Sequence, residues 1–148
     1  MRATRSLGAI SLCLLMAACT AVHGASAPGA PGFPDTARGD ALFTQWVLGS
    51  TGRQVRLVDV TARYPDPRHP VAGAIVLVDK RPVPYRPNDY THRPVVVRYT
   101  SPQAARAATR GHDPRTYGRR GPTVLWIPAT LPPRVATEYR FAGSAGLA

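Results

Sequence analysis

Sixteen prolines run through this chain of 148 residues from Pro28 onward, and their placement cuts most of it into short segments. Proline withdraws a backbone donor and biases the residue before it away from helix. Tyr64-Pro65-Asp66-Pro67-Arg68-His69-Pro70 is therefore a turn, Lys80 to Arg93 with prolines 82, 84 and 87 is a long loop or edge segment, and Pro132-Pro133 marks another turn. What lies between can only be short elements. Strands are expected at Gln54 to Tyr64, at Val71 to Asp79 with the apolar run Ala74 to Val78 as a buried central strand, and at Val95 to Thr100. Two more are expected at Thr123 to Ile127 and at Val135 to Phe141, the latter from the alternation of Val135, Thr137, Tyr139 and Phe141. Ser101 to Thr109 is a helix, with Ser101 as N-cap, Pro102 in the first turn and Gly111 stopping it. Asp40 to Leu48 fits either period and is read as a short helix capped by Asp40 and ended by Gly49. The expected fold is α+β and mostly β: about five strands, in an antiparallel sheet because the strands are bounded by proline, with one or two short helices.

The first eighteen residues stand apart from that pattern. Arg2 and Arg5 precede a run of twelve residues from Leu7 to Ala18, within the about 7 to 15 of a secretory signal and short of the roughly 20 that span a bilayer. Leu15-Met16-Ala17-Ala18-Cys19 resembles the lipobox of bacterial lipoproteins, with its leucine one place further back than is usual. The resemblance implies cleavage before Cys19, acylation of its sulfur with palmitate-like chains, and anchoring to a membrane. Thr20, where an Asp would favour the inner membrane, implies the outer membrane of a Gram-negative envelope, facing the periplasm or the surface. Removal of Cys13 with the signal leaves Cys19 as the single thiol, which cannot form an internal disulfide and which acylation would consume. A rival cut after Ala27, in Ala25-Ser26-Ala27, would release a soluble periplasmic or secreted binding or inhibitor protein. The domain plan is a signal over 1–18, a lipidated cysteine and Ala/Gly/Pro linker over 19–38, a globular domain over 39–142 and a frayed tail over 143–148.

The formal charge is +11, and losing Arg2 and Arg5 with the signal still leaves 17 basic against 8 acidic residues. Basic character therefore belongs to the mature domain. Lys80 is its only lysine, and the arginines are scattered, with Arg119-Arg120 the one adjacent pair. That pattern lacks the interleaved aromatic stripe of a nucleic-acid binder and is what an ordinary solvated surface in a chain biased toward arginine shows; where the charge serves binding, the expected partner is a protein of the envelope or an anionic envelope polymer. The binding candidates are Arg81, Tyr85, Arg86, Tyr90 and Arg93 in the Pro-rich loop, then Arg115, Tyr117, Arg119 and Arg120, because Tyr and Arg supply contact area and charge-assisted hydrogen bonds.

Catalytic signals are weak. The serines of the folded region lie in no nucleophile motif, Ser101 already caps a helix, and Glu138 has no second glutamate to work with. Two turns echo one another, Asp66 to His69 and Asp89 to His92, each placing an Asp three residues before a His, and His112-Asp113 lies in a later loop. If these loops met, the imidazoles and carboxylates could hold a divalent metal such as zinc, although the spacings match no established ligand motif. The expectation is a non-enzymatic, membrane-anchored envelope lipoprotein without a cofactor, with a metal-dependent periplasmic enzyme using His69, His92 and His112 as the alternative.

Overall fold

A computed structural model describes residues 32–64, 66–79 and 92–145. It is an α+β domain in which a five-stranded antiparallel sheet carries helices on both faces. In chain order the elements are α1 (Ala37–Ser50), β1 (Val55–Asp59), β2 (Val71–Asp79), β3 (Val95–Tyr99), α2 (Pro102–Thr109), β4 (Tyr117–Arg120), β5 (Thr123–Trp126) and α3 (Pro133–Ser144), with 3-10 turns at Thr61–Arg63 and Pro114–Thr116. The strand order is β1-β2-β3-β5-β4. β2 and β3 are therefore interior, which is why their side chains are buried on both faces.

Local chemistry explains most of the element ends. α2 begins as its sequence predicts: the Ser101 hydroxyl accepts from the Ala104 N–H at 3.1 Å and Pro102 opens the first turn. α1 starts earlier than expected, because Thr36 rather than Asp40 is its cap, accepting from the Gly39 N–H at 3.1 Å. β1 stops at Asp59, whose carboxylate accepts from the Thr61 N–H at 2.9 Å and turns the chain into the 3-10 segment instead of continuing to Tyr64. β4 and β5 form a hairpin in which Arg120 pairs with Thr123, and Gly121, at φ 54°, supplies the left-handed backbone that a two-residue turn needs.

One expected strand is a helix. Val135 to Phe141 lies inside α3, where Val135, Tyr139 and Ala142 recur at helical spacing and enter the core. α3 packs on β4 and β5, and the approach is so close that a Cβ at Gly143 would sit 2.8 Å from Leu125 Cβ and one at Gly118 would sit 2.9 Å from the Arg140 carbonyl oxygen. Tertiary burial, not local alternation, decides this segment. The folded unit accordingly includes Gly143 and Ser144, and begins with Phe33, whose ring meets Phe43 edge-on at 5.7 Å.

The sheet's two faces differ. Ile75, Leu77, Val96 and Leu125 face α1 and α3, whereas Ala74, Val76, Val97, Tyr99 and Val124 face α2. Two arginine networks fasten the helical layer to the sheet. Asp40 of α1 is buried and accepts from Arg98 at 2.8 Å, from Arg120 at 3.1 Å and from the Thr123 hydroxyl, while Arg120 also lies 4.2 Å over the Phe43 ring. Arg53 joins Asp79 at 3.0 Å and also bonds Glu138 of α3. Arg53, Arg98 and Arg120 are thus spent inside the fold.

Candidate functional site

α2 is only eight residues long and leaves part of its face of the sheet open. The opening is a cleft of about 410 Å³ lined by Tyr64, Asp66, Arg68, His69, Tyr99, Ala108, His112 and Trp126. Strand alternation makes its floor, since Tyr99 and Trp126 emerge beside Val97 and Val124 on the α2 side. The Trp126 indole N–H donates to the Tyr99 hydroxyl at 3.3 Å, which fixes both rings. His112 meets Trp126 edge-on at 4.9 Å, Tyr117 supports it from β4 at 5.7 Å, and His69 stands edge-on to Tyr99 at 6.4 Å. These are the ring separations at which aromatic pairs attract one another.

The wall at residues 66–69 is built by one carboxylate. Asp66 accepts from the backbone N–H groups of Arg68 and His69, both at 3.0 Å, and its second oxygen lies 3.2 Å from His69 Nδ1. Burial pushes its ionisation up, but the hydrogen bonds from Arg68 and His69 outweigh that and hold it below the usual carboxylate range. With Nδ1 turned toward Asp66, Nε2 is the His69 nitrogen left for a ligand. Burial pushes the Tyr64 phenol up to about 12, reinforced by Tyr99 and by the Asp66 charge. Tyr99 is raised by burial too, with the Trp126 N–H opposing. Both phenols are therefore neutral hydroxyls at physiological pH.

A second cleft, of about 550 Å³, lies on the other side of the 112–117 segment. Asp113, Arg115 and Thr116 form one wall, Arg140, Thr137 and Ala136 of α3 the opposite one, and Ile127, Pro128 and Leu131 the base. The Ile127 N–H donates to the Thr116 carbonyl at 2.8 Å and ties the segment to the end of β5. Asp113 is used locally, accepting from the Arg115 N–H at 2.9 Å. An aromatic cleft and an arginine-bearing cleft thus share one ridge.

The predicted residues divide unevenly over this geometry. Cys19, Arg81, Tyr85, Arg86, Tyr90 and Asp89 lie outside the described residues. Arg93, expected to be exposed, is buried. Arg120 is likewise not a free contact residue, because Asp40, Phe43 and the Ala145 carbonyl hold it, and Arg119 donates to the Thr109 hydroxyl at 3.2 Å. Arg115 is exposed at the second cleft, and Tyr117 is half-buried against Trp126. Asp66, His69 and His112 do meet in one cleft, whereas Asp113 faces the other and His92 lines neither. Among the described residues no group of three or more His, Cys, Asp or Glu side chains could hold a metal ion. Ser101 is a helix cap and Glu138 an ion-pair partner of Arg53, and neither lines either of these two clefts.

Sequence reasoning missed Tyr64, Tyr99, Trp126 and Arg140 as site residues. The alternation of their strands carries a signal for Tyr99 and Trp126; the sequence carries none for Arg140, whose position depends on its segment being a helix. Comparison with protein-family models, with curated proteins and with solved structures gives no match.

Proposed function

We propose that this protein is an exported envelope lipoprotein, anchored through Cys19, that binds a partner at the corner around residues 112–117 and performs no chemistry on it. The observation that carries the reading is the shared ridge: hydrogen-bonded Tyr99 and Trp126 on one side, Arg115 and Arg140 on the other. A ligand crossing that ridge would place flat or apolar groups on the indole and anionic groups between the guanidiniums. An anionic envelope polymer or an acidic, aromatic-bearing protein segment has that chemistry. The leader supports the compartment: a short apolar run ending in Ala17-Ala18-Cys19 belongs to an exported, acylated chain. Among the described residues no helix is long and apolar enough to cross a membrane.

The test is site-directed photocrosslinking in cells that make the protein. A photoreactive side chain at His112 or Arg115 is expected to give one discrete adduct, and Trp126→Ala to abolish it. The control is Gln54, exposed beside the opposite edge strand. Equal labelling from Gln54, or no adduct from either ridge position, refutes the proposal.

A further inference from the structure

The helical layer exposes two large side chains that the core does not use: Trp46 on α1 is 66% exposed and Phe141 on α3 is 64% exposed. α1 and α3 pack against each other. At one end Arg53, just past α1, bonds Glu138; at the other, Arg120, which holds Asp40 of α1, reaches the Ala145 carbonyl at 3.4 Å. Phe141 of α3 lies between residues 138 and 145, as Trp46 of α1 lies between residues 40 and 53, so each ring belongs to the stretch that these contacts span. Helical spacing places the exposed Arg134 on the stripe of Phe141, two turns back. The chain also enters the domain here. Phe33 meets Phe43 at 5.7 Å, and Phe43 meets Trp46 at 6.0 Å.

From the outer α1–α3 face, and resting on the lipid anchor proposed above, we infer a membrane-contact surface, with Trp46 and Phe141 seated at headgroup level. Twelve residues separate Cys19 from Gly32. Twelve residues of chain reach at most about 40 Å. An anchored domain is therefore held within about its own diameter of the bilayer, at the face where the linker arrives. Tethering raises the effective concentration of surface and lipid to the order of millimolar, so a weak contact suffices. Tryptophan favours the water–lipid interface, and a basic residue beside it adds attraction to anionic headgroups. The aromatic cleft lies on the opposite face of the sheet and stays open to the compartment.

The experiment uses lipidated protein, purified from membranes and reconstituted in phosphatidylethanolamine–phosphatidylglycerol vesicles, with and without brominated acyl chains. The Trp126→Phe variant reports Trp46 alone, and Trp46→Phe reports Trp126. Quenching of Trp46 by about twofold or more, with Trp126 unaffected, is expected, and Phe141→Ser should reduce it. Vesicle-bound protein whose Trp46 is unquenched overturns the inference while leaving the anchor intact. A blue-shifted but unquenched Trp46 accompanied by crosslinked dimers assigns the face to a second copy instead. Protein that carries no acyl chain and fails to sediment with vesicles overturns the anchor itself, and this inference with it.

Discussion

Asp40→Ala is the sharpest perturbation of the fold. The Asp40 carboxylate is 6% exposed and its partners Arg98 and Arg120 are 12% and 13% exposed, so removing the acid leaves Arg120 packed with little water and no counter-charge, and Arg98 with the exposed Asp35 as its remaining carboxylate. Breaking one side of a buried ion pair costs about 3–5 kcal/mol. Partial access of water to both arginines favours the lower end, about 3 kcal/mol, and the Thr123 hydroxyl loses its acceptor for about 1 kcal/mol more. For a domain of this size the sum, about 4 kcal/mol, corresponds to a fall in Tm of roughly 15–20 °C. Asp40→Asn keeps the shape and one acceptor and should cost about half as much. Urea denaturation followed by far-ultraviolet circular dichroism at pH 7 measures both. A loss below about 1 kcal/mol for Asp40→Ala would place the network with exposed surface pairs and refute its structural role.

Four further outcomes follow from other contacts. Gly143→Ala should destabilise by about 1–3 kcal/mol in the same assay, because the new Cβ would meet Leu125 Cβ at 2.8 Å and the Gly118 Cα at 3.2 Å. Tyr139→Phe should be neutral or stabilising by up to about 1 kcal/mol: among the described residues the buried hydroxyl has no hydrogen-bond partner of good geometry, and burial followed by the Asp79 charge pushes its ionisation up. Ser101→Ala should cost about 1 kcal/mol by leaving the Ala104 N–H uncapped, with Ser101→Gly costing less. Asp66 titrates below its ordinary value in the folded state, so its stabilisation is complete above the unfolded value of 3.8 and is lost as pH falls through the folded one. Asp66→Asn should flatten stability against pH below about 4, and an unchanged acid limb in unfolding titrations would count against the Asp66 turn.

Elements whose cause is local were legible from the residues alone. Ser101-Pro102 announces α2, and the unbroken run Ala74 to Val78 announces an interior strand. The α3 segment is ambiguous in sequence because Val135, Thr137, Tyr139 and Phe141 satisfy a period of two while Val135, Tyr139 and Ala142 satisfy a helical one. The choice was made at a distance, by the slot that Gly118 and Gly143 open between α3 and β4. β4 carries Tyr-Gly-Arg-Arg, which has no strand pattern of its own and exists through its pairing with β5. The cleft was half visible. Asp66, His69 and His112 stood out as side chains able to meet, but the rings that make a floor beneath them, Tyr99 and Trp126, are joined only by the antiparallel pairing of β3 with β5. The arginines misled in the opposite sense, since Arg98 and Arg120 look like surface charge in one dimension and are clamps on Asp40 in three.

The account turns on a chain held to a membrane by its cysteine, with its binding ridge on the domain that follows. Intact-mass measurement of the protein extracted from the cells that make it tests this most directly. The predicted species begins at Cys19 and carries acyl chains on it; a mature chain beginning at Pro28, or any unacylated N-terminus, contradicts it.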